Sequence, residues 1–146
     1  MDLTTNYPAS VREKMHGIVQ LKRTIDKGKA KAAGTIGEYH YDCPMDKHLF
    51  AFLDIDAESL LDVIEAANSD TEISEFVAPY VHAKTDEEIE DFNRDWLLHG
   101  PQAGTPGEAF FLKTRNEIAP DRTDVTNWAD LLDLEEKRPV PHRVPA

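Results

Sequence analysis

Side chains that could carry out chemistry are concentrated in one short segment, residues 35–56. It contains the only cysteine of the chain, Cys43, with two of the four tyrosines and two of the six histidines. Pro44 suits the first position of a helix, where its missing N–H costs no hydrogen bond, so Cys43 falls at the N-cap. Free N–H groups and the positive end of the helix dipole favour a thiolate, the reactive form of cysteine. Cys43 is therefore a candidate nucleophile, although lone cysteines are more often small, inert and buried.

The same segment is rich in residue types that can bind a metal: His40, Asp42, Cys43, Asp46 and His48. Zinc sites use pairs of Cys or His two to four residues apart, with a second pair further along the chain. This segment does not match that spacing, and Pro44 begins a helix between the two aspartates. We therefore expect no metal site, and the sequence does not identify a cofactor.

A second group of chemically capable side chains combines this segment with the helix predicted before it. Its members are opposite charges and two phenols: Arg23, Asp26, Lys27, Glu38, Tyr39, Tyr41 and Asp46. One interpretation is a pocket for a small anionic or zwitterionic ligand, which Arg23 would hold by a two-pronged contact. The other is an internal network of ion pairs and tyrosines that fixes the segment to the helix, since buried polar groups must be paired. The second is favoured.

The elements that must position these residues are predicted to be helices. Apolar residues recur at intervals of three and four along most of the chain, which is typical of helices with one buried face. Ser10 and Glu13 have the spacing of a capping box and predict that the first helix begins there, with Gly34 as its end. Residues 35–41 are read as an extended connection, because no second stretch alternates well enough to pair with them as a sheet. These patterns predict an all-α orthogonal bundle of six to eight helices.

Length and charge limit the classes of function. The chain has 146 residues, enough for one domain with a real core, here residues 1–137 with a proline-rich flexible tail at 138–146. The net charge is −12, with a basic head in residues 1–33 and an acidic body after it. An acidic protein repels phosphate backbones, so nucleic acid is an unfavourable partner. With no apolar segment for export or membrane insertion and one cysteine, a cytoplasmic location is expected.

Five stretches of the sequence together resemble a known family: RTIDK from Arg23, AGTIGEY from Ala33, YDCPMD from Tyr41, FLDID from Phe52 and WADLLD from Trp128. The family is bacterial, with members of about this length, and is known only as a domain of unknown function. The resemblance covers nearly the whole chain and implies a stand-alone bacterial protein. It carries no activity, so it assigns no catalytic residue.

The sequence therefore predicts a small helical protein that binds a protein partner or a small ligand. The alternative is an enzyme that uses Cys43 in a polar cleft, and the sequence does not decide whether the protein is an enzyme. The opposite charges of head and body suit docking within one chain or between two copies, which leaves a homodimer open.

Overall fold

The computed structural model describes residues 1–143 and is an all-α bundle, as predicted. The described part of the chain contains seven helices: α1 Leu21–Ala32, α2 Pro44–Leu53, α3 Ala57–Ala66, α4 Asp70–His82, α5 Asp86–Leu98, α6 Pro106–Ile118 and α7 Trp128–Glu135. No helix of this part has the length and apolar character needed to cross a bilayer.

Side-chain caps lie at the starts of three helices, α3, α5 and α6. Asp56 accepts a hydrogen bond of 2.9 Å from the Ser59 backbone N–H at the start of α3. Thr85 and Glu88 form a reciprocal capping box at the start of α5, and Thr105 caps α6. Each cap gives a partner to an N–H group that has none inside the helix, which typically stabilises a helix by about 1 kcal/mol.

The prediction that the first helix begins at Ser10 is wrong, because α1 begins at Leu21. The Ser10 hydroxyl donates to Asp133 over 2.7 Å, and Glu13 pairs with Lys22 rather than closing a capping box. Gln20, directly before α1, has a left-handed backbone with φ of 72°. A helix running through residues 10–20 would need that position to be right-handed.

The core forms around α1, which packs against α3 at Gly28. A β-carbon at Gly28 would lie 2.7 Å from Ile64 Cδ1 and 3.1 Å from the Tyr41 ring, so glycine permits this close approach. The larger core cluster joins residues of α1 to α5 with Ala129 of α7. A second cluster lies under α6 and α7 and contains Phe111, Val125, Leu131 and Val140.

The connection between α1 and α2 is held without a sheet. No strand occurs in residues 1–143; the one isolated bridge joins Met15 and Ile18. The Leu3 N–H donates to the Thr35 carbonyl over 2.8 Å, and the Tyr41 hydroxyl donates to the Ala57 carbonyl over 2.7 Å. The N-terminal segment and α3 therefore hold this connection from opposite ends.

The basic head docks onto the acidic body of its own chain. Arg12 pairs with Asp130 and Asp133 of α7, and Lys29 pairs with Asp70 of α4 at 2.6 Å. After α7, Arg143 also reaches Asp130. The division into a domain and a flexible tail stays a prediction, and residues 144–146 of that tail lie outside the described residues.

Candidate functional site

A row of polar side chains on α1 is buried at the centre of the molecule. Gln20 precedes α1, and Arg23, Thr24 and Lys27 follow at helical spacing, so all four lie on one side of the helix. Their exposed fractions do not exceed 4%. Charged side chains are rarely buried to this degree unless they are paired, and partners from α2 and the end of α7 pair these.

The first of two clusters on this row forms around Lys27. The Lys27 ammonium donates to Asp46 Oδ2 over 2.7 Å, to the His40 carbonyl over 3.0 Å and to Cys43 Sγ over 3.3 Å. The other oxygen of Asp46 accepts from Thr24 over 2.6 Å and from Gln20 Nε2 over 3.0 Å. Burial raises the pKa of Asp46, but the Lys27 charge and these hydrogen bonds outweigh it and hold the pKa below its usual value.

The second cluster forms around Arg23. Its guanidinium meets Glu136 in a two-pronged contact of 2.8 and 2.7 Å and also donates to the Ala9 carbonyl. Tyr39 donates to Glu136 over 2.8 Å, and Arg138 pairs with the same carboxylate. Burial raises the pKa of Glu136, but the hydrogen bonds and the charge of Arg23 outweigh burial and hold this pKa below its usual value.

Four of the predicted pocket residues, Arg23, Lys27, Tyr39 and Asp46, meet in these two clusters, and the other three lie apart from them. Asp26 accepts from the Ala9 N–H over 2.8 Å. Tyr41 packs on the opposite side, at Gly28 and Ala57. Glu38 is exposed and makes no hydrogen bond within residues 1–143, although it lines the cleft described next.

An open cleft of about 1720 Å³ lies above this row of polar residues. Gln20, which precedes α1, and Arg23 and Lys27 of α1 form part of its lining, with side chains of α2, α5 and α7. The α5 residues that line it recur at helical spacing: Glu88, Asp91, Phe92, Asp95, Trp96 and His99. One face of α5 is therefore turned to the cleft, and its volume exceeds the range that small-ligand sites usually need.

Five aromatic side chains form a nearly parallel layer on one wall of this cleft. The His48 ring lies 4.8 Å from the Trp96 ring at an interplanar angle of 8°, and His99 lies 5.6 Å from Trp96 at 7°. Phe92 stacks on Phe52 at 4.5 Å. We call these five residues the aromatic layer. Its flat faces suit stacking with a planar molecule.

Two buried polar atoms at the cleft have no hydrogen-bond partner among the described residues: Gln20 Oε1 and Trp96 Nε1. Because Gln20 Nε2 donates to the carboxylate of Asp46, the other end of the amide must be the oxygen. A buried polar atom left without a partner is costly, so each such atom requires an explanation. A ligand in the cleft would supply one.

The end of α7 adds a carboxylate with a perturbed pKa. Glu135 lines the cleft as an exposed side chain and makes no ion pair or hydrogen bond within residues 1–143. Desolvation and, second, the negative charge of Glu136 raise its pKa. A carboxyl with a raised pKa in a cleft is a physical mark of a functional site.

Sequence reasoning missed Gln20, Glu135, Glu136 and the role of the aromatic layer. The helical spacing of Phe92, Trp96 and His99 is the signal that could have joined these residues to a site. The contact between Arg23 and Glu136 spans 113 positions, and no local pattern reveals it. Among the described residues, no group of three or more His, Cys, Asp or Glu side chains is arranged to hold a metal ion.

Comparison with known proteins gives a family and no activity. A family model for a domain of unknown function, DUF5069, matches residues 5–138, while no curated protein matches the chain. The match covers most of the chain and confirms the resemblance to an uncharacterised domain family. The protein therefore belongs to the DUF5069 family of domains of unknown function.

Proposed function

We propose that this protein is a small-ligand binding module and that its ligand occupies the cleft between α1, α2, α5 and α7. One observation carries the proposal: a large cleft is lined by an aromatic layer and by two buried polar atoms without partners. Ligand sites are mostly apolar, with a few polar groups that fix orientation. The combination of Trp96, His48 and Gln20 fits that description.

The buried clusters would give such a cleft a rigid base. Arg23 pairs with Glu136 and Lys27 pairs with Asp46. These four side chains would therefore fix the floor of the cleft and would not bind the ligand themselves. A site held by locked side chains binds with less loss of conformational entropy. The ion pairs fix the helices to one another, and the ligand would lie in the cleft above them.

A small anionic or zwitterionic ligand held by Arg23, the less favoured of the two interpretations from the sequence, stays a prediction. The two cations on the cleft floor already hold carboxylates at 2.7 Å. An anion would have to displace Glu136 or Asp46, and this would leave a buried carboxylate unpaired, at a cost of several kcal/mol.

The second candidate function is an enzyme that uses Cys43. The observation in its favour is the Lys27 ammonium 3.3 Å from Cys43 Sγ at the start of α2. Against it, Asp46 already neutralises Lys27. Alkylation with iodoacetamide at pH 7 tests this function: labelling at the rate of a free thiol peptide or faster supports it, and labelling at least tenfold slower removes it.

Two further expectations accompany the proposal. A cytoplasmic protein agrees with the single half-buried cysteine, which forms no disulfide. A homodimer held by opposite charges would dissociate at high salt, and size-exclusion mass at 50 mM and 1 M NaCl tests it. A protein partner remains the other form of the binding proposal, and Phe110 and Leu98 on the surface are the exposed apolar residues it would cover.

A thermal-shift screen with a metabolite library tests the binding function. We expect a stabilising ligand whose effect is reduced in His48→Ala, because His48 lies exposed in the aromatic layer. The matched control is His142→Ala, an exposed histidine that does not line the cleft. If every stabilising ligand acts equally on the wild type and both variants, the cleft is not the binding site.

A further inference from the structure

We infer that the ligand of the cleft is a planar organic cation, which stacks on the aromatic layer and places its charged nitrogen beside Glu135. The inference rests on the proposed function and names its ligand class. It follows from the charge that the cleft leaves uncompensated, from the shape of the aromatic layer and from the polar atoms without partners.

The uncompensated charge of the cleft is negative. Six carboxylates contribute to its lining: Glu38, Glu88, Asp91, Asp95, Glu135 and Glu136. The two cations of the lining, Arg23 and Lys27, are each bound to a buried carboxylate. Asp91 has Arg94 at 2.9 Å, whereas Glu38 and Glu135 have no cationic partner within residues 1–143. A cation entering the cleft therefore meets a favourable field, and an anion meets an unfavourable one.

The aromatic layer adds an attraction that selects for shape and charge together. Trp96 is stacked with His48 and with His99 within 8° of parallel, and the two exposed histidines present the ring faces that a ligand can reach. The face of an indole carries partial negative charge and attracts cations, most strongly where water is excluded. A planar cation can stack over its whole face on an exposed histidine ring, with the Trp96 indole one ring further in.

The polar atoms specify hydrogen-bond donors on the ligand. Gln20 Oε1 accepts only, and Glu135 accepts in its ionised form. A protonated amine or amidine supplies N–H donors for such groups, while a carboxylate or phosphate supplies none. Trp96 Nε1 needs one acceptor, which a ring nitrogen or carbonyl of the ligand would provide. Desolvation and, second, the charge of Glu136 raise the pKa of Glu135, and a cation beside this carboxyl would lower it.

Three planar probes of nearly the same shape test the inference: 9-aminoacridinium, acridine and acridine-9-carboxylate. At pH 8 these are a cation, a neutral molecule and an anion. Isothermal titration calorimetry with the full chain measures each Kd. We expect the cation to bind at least tenfold more tightly than acridine, within the range of a hydrogen bond to a charged group, and the anion to bind weakest.

Two variants and a control locate the origin of the preference. Glu135→Gln removes the charge at nearly constant shape, and we expect the cation and acridine then to bind within a factor of two to three of each other. Glu90→Gln is the matched control, because Glu90 is exposed on α5 but does not line the cleft, and it should keep the full preference. His48→Ala should weaken the binding of the cation and of acridine by similar factors.

The outcomes separate this inference from the proposed function. Acridine or the anion could bind more tightly than the cation, in a way that His48→Ala weakens. That result overturns the cationic ligand and leaves the binding function standing. A cation preference that survives Glu135→Gln overturns the role of Glu135. If no probe binds at 1 mM, the planar-cation inference fails, and the binding function then depends on the metabolite screen alone.

Discussion

Replacing Arg23 with alanine removes one member of a buried ion pair and is expected to destabilise the fold strongly. Arg23 is 3% exposed and Glu136 is 5% exposed, so the carboxylate left behind has little access to water. Breaking a buried pair costs about 3–5 kcal/mol. Because Tyr39 and Arg138 still donate to Glu136, we expect a loss near the lower limit, about 3 kcal/mol.

Urea unfolding followed by tryptophan fluorescence measures this loss. A domain of this size has about 5–15 kcal/mol of stability, so Arg23→Ala should still fold. Arg94→Ala is the control, since Arg94 and Asp91 are both more than half exposed, and such pairs contribute about 1 kcal/mol or less.

A double-mutant cycle with Glu136→Gln completes the test. The two changes together should destabilise the protein by at least about 1 kcal/mol less than the sum of the single changes, because each alone leaves the other group unpaired. A loss under 1 kcal/mol for Arg23→Ala, or additive effects in the cycle, would refute the interpretation that this pair locks α1 to the end of α7.

Other predictions follow from the same contacts. The pKa of Asp46 is lowered in the folded protein, so ionised Asp46 stabilises the fold fully above the usual value of 3.8, and this stabilisation is lost as the pH falls below it. Asp46→Asn should therefore destabilise the protein at pH 7. In urea titrations from about pH 7 to about pH 2, the difference in unfolding free energy between the variant and the wild type should shrink below about pH 4. Gly100→Ala should cost about 1–3 kcal/mol, because the added carbon would lie 2.4 Å from the Thr126 carbonyl oxygen. Gly107→Ala is its control, since the nearest atom is 3.6 Å away, and thermal melts should show a neutral or slightly stabilised protein; equal losses in both glycine variants would contradict the close approach at Gly100.

Local signals in the sequence were sufficient to predict the all-α class and the approximate number of helices. Asp56, Thr85 and Thr105 are caps because a side-chain oxygen three residues before a free N–H group can reach it. Ser10 and Glu13 show the same pattern and fail. Ser10 donates to Asp133, which is 123 positions away, and Glu13 pairs with Lys22. A local sequence pattern does not show that these partners compete with the capping contacts.

The candidate site was predicted in part for the same reason. Arg23, Lys27, Tyr39 and Asp46 lie within 24 positions of one another, and helical spacing brought them into one group. Glu136 comes from the far end of the chain, so the acceptor that neutralises Arg23 was missed. Without it, the anion pocket stayed open as an alternative to the favoured internal network, although the fold pairs Arg23 with Glu136 and Lys27 with Asp46.

The crystal structure of the protein soaked with 9-aminoacridinium tests the central claim most directly. We expect the ring system to lie in the cleft against the exposed ring of His48, with its charged nitrogen within about 3.5 Å of a Glu135 oxygen and with the Arg23–Glu136 and Lys27–Asp46 pairs intact. A probe bound elsewhere with the cleft left empty, or one that enters by breaking either ion pair, would contradict it.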